Sequence, residues 1–246
     1  MRETFQADAR PEPALTLAGH LEELRRRLGI GLAALLLAVG ISGSQVERLV
    51  AWLRRPAGVL LPHFAYFSPA EPLLAYLNVS ILAGLILAMP VILWQLWGFV
   101  RSGLTRRERG LGLAFVWWGS VQFMAGVAFA YYVLLPVSLR LLLGIGRASL
   151  EPVISIQRYL AFVTSLAFWC GIVFELPVIV WLLAKIGIVT PAWLSHQRPY
   201  ATLLLVIIAA VVTPTTDPVS LFLMALPMLL LYECSIVMAR CAVRRT

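Results

Sequence analysis

Polar and apolar positions alternate along this chain in long blocks, with no short period. Six apolar runs can be drawn, at about residues 28–43, 73–100, 111–136, 158–184, 200–212 and 219–238. A helix rising about 1.5 Å per residue needs about 20 residues to cross a hydrocarbon core of about 30 Å. Runs two to four have length to spare. The fifth holds only about 13 residues and covers roughly 20 Å, and the turn that follows it, Thr213 to Pro218, adds almost nothing. That side is expected to thin the bilayer or admit water. The pattern predicts an all-α, polytopic integral membrane protein: one membrane domain over residues 1–246, with six transmembrane helices, a cytoplasmic N-terminal segment (1–27) and a short tail (239–246).

Prolines and charges refine that outline. Pro90, Pro136, Pro177 and Pro227 lie within or at the ends of apolar runs. Each removes a backbone donor, so several helices are expected to kink or break and to form a concave wall. The N-terminus, the Arg101–Arg109 loop, the Lys185–Arg198 loop and the tail hold fourteen of the twenty Lys and Arg. The positive-inside rule therefore places these segments, and both termini, in the cytoplasm.

Composition agrees, with 61% hydrophobic and only 13% charged residues, far from the soluble norm. The net charge of +8 sits in clusters between apolar runs, which argues for membrane orientation and anionic-lipid contact and against nucleic acid. Cys170, Cys234 and Cys241 have no C-x-x-C spacing and are expected as buried small apolar residues. Arg25 to Arg27 followed by an apolar stretch resembles a secretory signal, but the long acidic leader before it predicts a retained first span.

Few residues offer chemistry. Glu175 lies inside the fourth run, where a carboxylate should face protein or water; it is either a functional polar site or a packing hydrogen bond beside Pro177. Glu233, near the end of the sixth run, reads as an end anchor paired with Arg240 or as a functional acid. Asp217 sits before a proline, ordinary turn chemistry. The stretch Leu17 to Leu28 places Leu17, Leu21, Leu24 and Leu28 on one helical face, either as an interfacial helix feeding the first span or as a docking surface. Glu23 there and Glu108 in the first basic loop fall at one membrane face. Two carboxylates could hold a positively charged peptide, or nearby arginines could neutralise both. H-E-x-x-H, a P-loop and paired intramembrane aspartates do not occur, so no enzyme, metal or cofactor is expected.

The motifs HLEELRRRL (20–28), FSPAEPL (67–73), PVILWQLWGFV (90–100), GLTRRERG (103–110), FELPVIV (174–180), RPY (198–200), the TPTTDPVS turn and ALPMLLLYE (225–233) together resemble the TatC family, the multi-spanning core of the twin-arginine protein translocase. The resemblance implies a receptor for the signal peptides of folded proteins, working in a bacterial-type cytoplasmic membrane and driven by the proton-motive force. It implies that Glu23 and Glu108 recognise the twin arginines with Phe99 beside them. It also implies that Glu175 serves contacts with single-span TatA- and TatB-type partners, that Asp217 corresponds to the acid of an outer turn, and that copies associate in a multimeric complex. The chain differs from the family pattern in carrying Arg101-Ser102 in place of Ala-Pro, a turn one residue longer before Asp217, and Leu221 at a commonly polar position.

Overall fold

A computed structural model describes residues 17–58, 64–101, 108–144, 153–212 and 218–243. In chain order these form α1 (Leu17–Gly43), α2 (Val46–Leu53), α3 (Glu71–Val100), a short 3-10 turn (Glu108–Leu111), α4 (Gly112–Phe129), a π-helical turn (Ala130–Leu134), α5 (Leu135–Gly144), α6 (Ile156–Phe174), α7 (Leu176–Lys185), α8 (Pro191–His196), α9 (Arg198–Val212) and α10 (Pro218–Val243). Two strands of two residues, Phe64–Ala65 and Ile154–Ser155, pair in parallel.

Four units are long and apolar enough to cross a bilayer: Glu71–Val100, Gly112–Gly144, Ile156–Lys185 and Leu221–Cys241. Helices α1 and α2 together make a fifth apolar unit, bent by 78° between them. Helix α9, with 15 residues, spans only about 22 Å, as short as the fifth apolar run foretold. Large apolar side chains such as Leu32, Leu36, Leu73, Leu203, Val211 and Phe222 point outward, as they must where lipid is the solvent.

The first helix departs from expectation. The leucine-bearing stretch 17–28 is no separate interfacial element; it continues unbroken into the apolar run as one 27-residue helix. Helix α2 is an amphipathic piece in the long loop after it, burying Val46, Val50 and Leu53 on one face. The prolines also divide. Pro90 and Pro227 sit inside uninterrupted helices, whereas Pro177 coincides with a one-residue break at Glu175 between α6 and α7. Pro136 follows the π-helical turn; its missing N–H leaves the ladder to re-form with a wider loop just before it.

Glycines allow close helix crossings, as small residues do where no hydrophobic effect drives helices together. A Cβ at Gly84 of α3 would lie 2.7 Å from the backbone nitrogen of Val39 in α1, and one at Gly126 of α4 would lie 2.6 Å from the carbonyl oxygen of Cys170 in α6. Between them the main core forms around Phe123, Leu134, Leu135 and Leu160.

The two ends of the bundle are built differently. At the end where α2 lies, the Trp52 and Tyr131 rings stack at 4.0 Å, the Tyr131 hydroxyl donates to the Trp52 carbonyl at 2.8 Å, and the Tyr159 hydroxyl donates to the Leu53 carbonyl at 2.7 Å. Glu71, in the first turn of α3, accepts from Ser155 Oγ at 2.7 Å and from the Phe67 N–H at 3.3 Å. These bonds hold α2 and the strand pair as a polar cap on the apolar spans. The opposite end gathers the start of α1, the ends of α3, α7 and α10, and the starts of α4 and α9.

Candidate functional site

The opposite end carries the candidate site. Glu23 lies one turn before Arg27 on α1, the i, i+4 spacing at which side chains meet. Arg27 Nε and Nη2 both donate to Glu23 Oε1, at 3.0 and 2.6 Å. One of the two fates foreseen for this carboxylate, neutralisation by a nearby arginine, is thus realised at Glu23. The Arg27 side chain is 12% exposed and that of Glu23 25%, so the pair is set into the protein.

Its seat is on the neighbouring helix. The Arg27 guanidinium lies against Gly98 of α3, in the space that a Cβ there would fill. Phe99, half-buried, follows directly. Leu24, Arg27, Leu28, Leu35, Ile92 and Phe99 are among the walls of a groove of about 360 Å³ between α1 and α3. The groove is almost wholly apolar, with Gln95 as its one uncharged polar side chain, and Arg27 in its wall is the residue that holds Glu23. A guanidinium-binding acid one helical turn from a residue that lines an apolar groove can hold a cationic segment while the groove takes the apolar segment attached to it.

Glu108 opens the 3-10 turn that feeds α4, and the next residues bring Gly112 beneath the Trp97 ring of α3. The chain therefore enters α4 beside the end of α3 that carries Gly98 and Phe99. The Glu108 side chain and loop residues 102–107 lie outside the described residues, as does Asp217. Trp97, Leu93, Phe115 and Leu182 pack a small core beneath this end.

Glu175 lies elsewhere, at the break between α6 and α7. It faces protein: 4% of it is exposed, Oε2 would lie 3.2 Å from a Cβ placed on Gly119, and the Leu93 side chain occupies the same space. Neither carboxyl oxygen has a hydrogen-bond partner among the described residues. The packing hydrogen bond offered as its plain role is therefore not made among the described residues. A partner helix could touch this carboxyl only after side chains such as Leu93 move.

Two other expectations change. Glu233 pairs with Arg198 of α9 at 2.7 Å in place of Arg240, and beside it the Tyr232 hydroxyl donates to the Leu194 carbonyl at 2.8 Å; together these tie the short α8 and α9 to α10. Arg198 is 35 positions away in sequence, so spacing alone could not favour it. Of the three thiols, only Cys170 is buried, while Cys234 and Cys241 are exposed on the outer surface of α10, where a small apolar side chain can face lipid as readily as a core. Among the described residues there is no cluster of His, Cys, Asp and Glu able to hold a metal.

Sequence reasoning missed Arg27 and Gly98. The signal for Arg27 was the i, i+4 spacing from Glu23; for Gly98 there was none, because its part depends on which helix lies opposite.

The family described as Sec-independent protein translocase protein (TatC) matches residues 19–227. The chain is 37% identical over 226 residues to the TatC protein of Carboxydothermus hydrogenoformans, covering 92% of this chain and 93% of that one. It is 36% identical over 235 residues to that of Aquifex aeolicus, covering 94% and 97%. A crystal structure of the twin arginine translocase receptor TatC superposes with a TM-score of 0.81 at 35% identity, covering 91% of this chain and 99% of that one.

Proposed function

Because this chain belongs to the TatC family, we propose that it is the receptor and core component of a twin-arginine translocation system, binding the Arg-Arg signal peptides of folded proteins. The peptide guanidinium groups pair with Glu23 and Glu108 while Phe99 packs beside them. The apolar part of the signal then enters the membrane along the bundle. Recognition needs no catalytic group, and the chain acts as a translocase component in a complex driven by the proton-motive force.

The observation that carries this reading is that Glu23 already holds a guanidinium through two donors, that of Arg27, which with Phe99 lines an apolar groove. This is the geometry that arginine supplies and lysine does not. The short α9, the 78° bend between α1 and α2 and the alternating chain direction support six passes with both termini in the cytoplasm of a bacterial-type inner membrane. In that arrangement the Glu23 end is cytoplasmic. Single-span TatA- and TatB-type proteins and further copies of the chain complete the complex. Glu175 is the intramembrane polar site towards which such a partner helix would be drawn, and Asp217 a candidate contact at the outer turn.

The test is binding of an Arg-Arg signal peptide to the lipid-embedded chain carrying Glu23→Gln, Glu108→Gln or both. A hydrogen bond to a charged group contributes about 1.5–3 kcal/mol, so each substitution should weaken binding by roughly ten- to a hundredfold. Unchanged affinity in the double variant would rule the reading out.

A further inference from the structure

An exposed ion pair one helical turn apart stays solvated and contributes little, but the Arg27–Glu23 contact is built differently. The guanidinium is almost buried, with 12% of the side chain exposed. Two of its nitrogens meet one carboxylate oxygen, at 3.0 and 2.6 Å, and its far end fills a seat that exists only because residue 98 is glycine. The position in which a ligand guanidinium would meet Glu23 is thus filled from within the chain, by the same chemical group.

We propose that Arg27 is a built-in competitor for the peptide arginine, holding Glu23 in the unliganded receptor and leaving when the signal peptide arrives. The inference rests on the reading of Glu23 as a peptide-binding carboxylate and adds a control to that site. The exchange replaces one fork by an identical one, so the carboxylate is at no point left buried and bare, which would be costly. The long stem of Arg27 lets the displaced guanidinium swing to water at the membrane surface. The consequence is a lowered apparent affinity: a site open for only a fraction of the time binds every ligand more weakly by that fraction. A receptor that must later release its signal peptide gains a preset means of release.

Internal competition has a thermodynamic signature that distinguishes it from charge repulsion. It weakens all ligands that need Glu23 by the same factor, whatever their chemistry, and leaves their ratio unchanged. The test measures binding of two fluorescent synthetic peptides to the full chain in lipid nanodiscs, one with Arg-Arg ahead of a Leu/Ala apolar run and one with Lys-Lys in the same place. Arg27→Gln should tighten both by about tenfold, equivalent to about 1.4 kcal/mol, without changing their ratio. Arg27→Lys keeps the charge and loses the fork, and should tighten both by a smaller factor. In a Glu23→Gln background, Arg27→Gln should change nothing.

Tightening by Arg27→Gln alone, with Arg27→Lys like the parent, would reduce the effect to electrostatic repulsion and overturn the proposal. A changed peptide ratio would place Arg27 in contact with the bound ligand and overturn it equally. Weaker or unaltered binding in both variants would also overturn it. The underlying reading fails separately, if Glu23→Gln in the otherwise native chain leaves Arg-Arg binding intact.

Discussion

Replacing Glu175 by methionine should make the protein more stable and less functional. The carboxyl is 4% exposed and neither oxygen is paired among the described residues. An unsatisfied buried polar group costs about 1–3 kcal/mol, and a charged one at the centre of a membrane helix about 2.5–3.5 kcal/mol. Methionine has nearly the same length, adapts to irregular space between Leu93 and Gly119, and as a volume-conserving change should cost less than about 1.5 kcal/mol. The balance favours the variant by about 1–2 kcal/mol. For a chain of this size about 1 kcal/mol moves the midpoint by roughly 2–4 °C, so a rise of roughly 2–8 °C is expected. Cys170, 3% exposed, supplies the assay: with Cys234 and Cys241 replaced by serine, a thiol-reactive dye reports unfolding as Cys170 becomes accessible in a thermal ramp. Cargo transport in cells should fall at the same time, the pattern of a residue kept for function against stability. A lowered midpoint would refute the reasoning, because it would mean that the carboxyl is bonded and holds the fold together.

Two structural substitutions test the packing account. Gly126→Ala places a methyl 2.6 Å from the Cys170 carbonyl oxygen and 2.9 Å from Gly171 Cα; backbone cannot retreat as a side chain can, so α4 and α6 must separate, and the same dye assay should show a loss of about 1–3 kcal/mol. Tyr159→Phe orphans the Leu53 carbonyl that its hydroxyl now serves at 2.7 Å; a loss of about 1–2 kcal/mol is expected, with faster amide exchange in α2 by mass spectrometry, and unchanged exchange there would show that this bond does not hold the cap.

The bundle was largely legible because lipid demands long uninterrupted apolar runs, and run two (73–100) coincides with α3, Glu71–Val100. The start of α1 was not, since the leucine period of residues 17–28 is the same for a helix lying on the membrane and one standing in it. Helix α2 left a readable trace, with Val46, Val50 and Leu53 at helical spacing and all buried, yet it was masked by the prolines around it. The pairing of Phe64–Ala65 with Ile154–Ser155 had no trace, because two residues cannot display a period. Pro90 shows the limit of local rules, since α3 runs through it while the chain at Pro177 breaks. At the site, Glu23 was legible as a carboxylate sharing one membrane face with Glu108, and Phe99 came through resemblance; Arg27 as the partner of Glu23 was missed, although its i, i+4 spacing was there to read. Gly98 as the seat of a guanidinium, and Arg198 as the partner of Glu233, arise from contacts between helices distant in sequence.

The central claim, that this end of the bundle recognises paired arginines, is tested most directly by photocrosslinking from position 99 to a signal peptide carrying Arg-Arg and to the same peptide carrying Lys-Lys. The account predicts strong crosslinking to the first and a sharp drop for the second, because an ammonium cannot reproduce the two-donor fork on a carboxylate. Equal crosslinking to both would contradict it, and would make the site a reader of charge and apolarity alone.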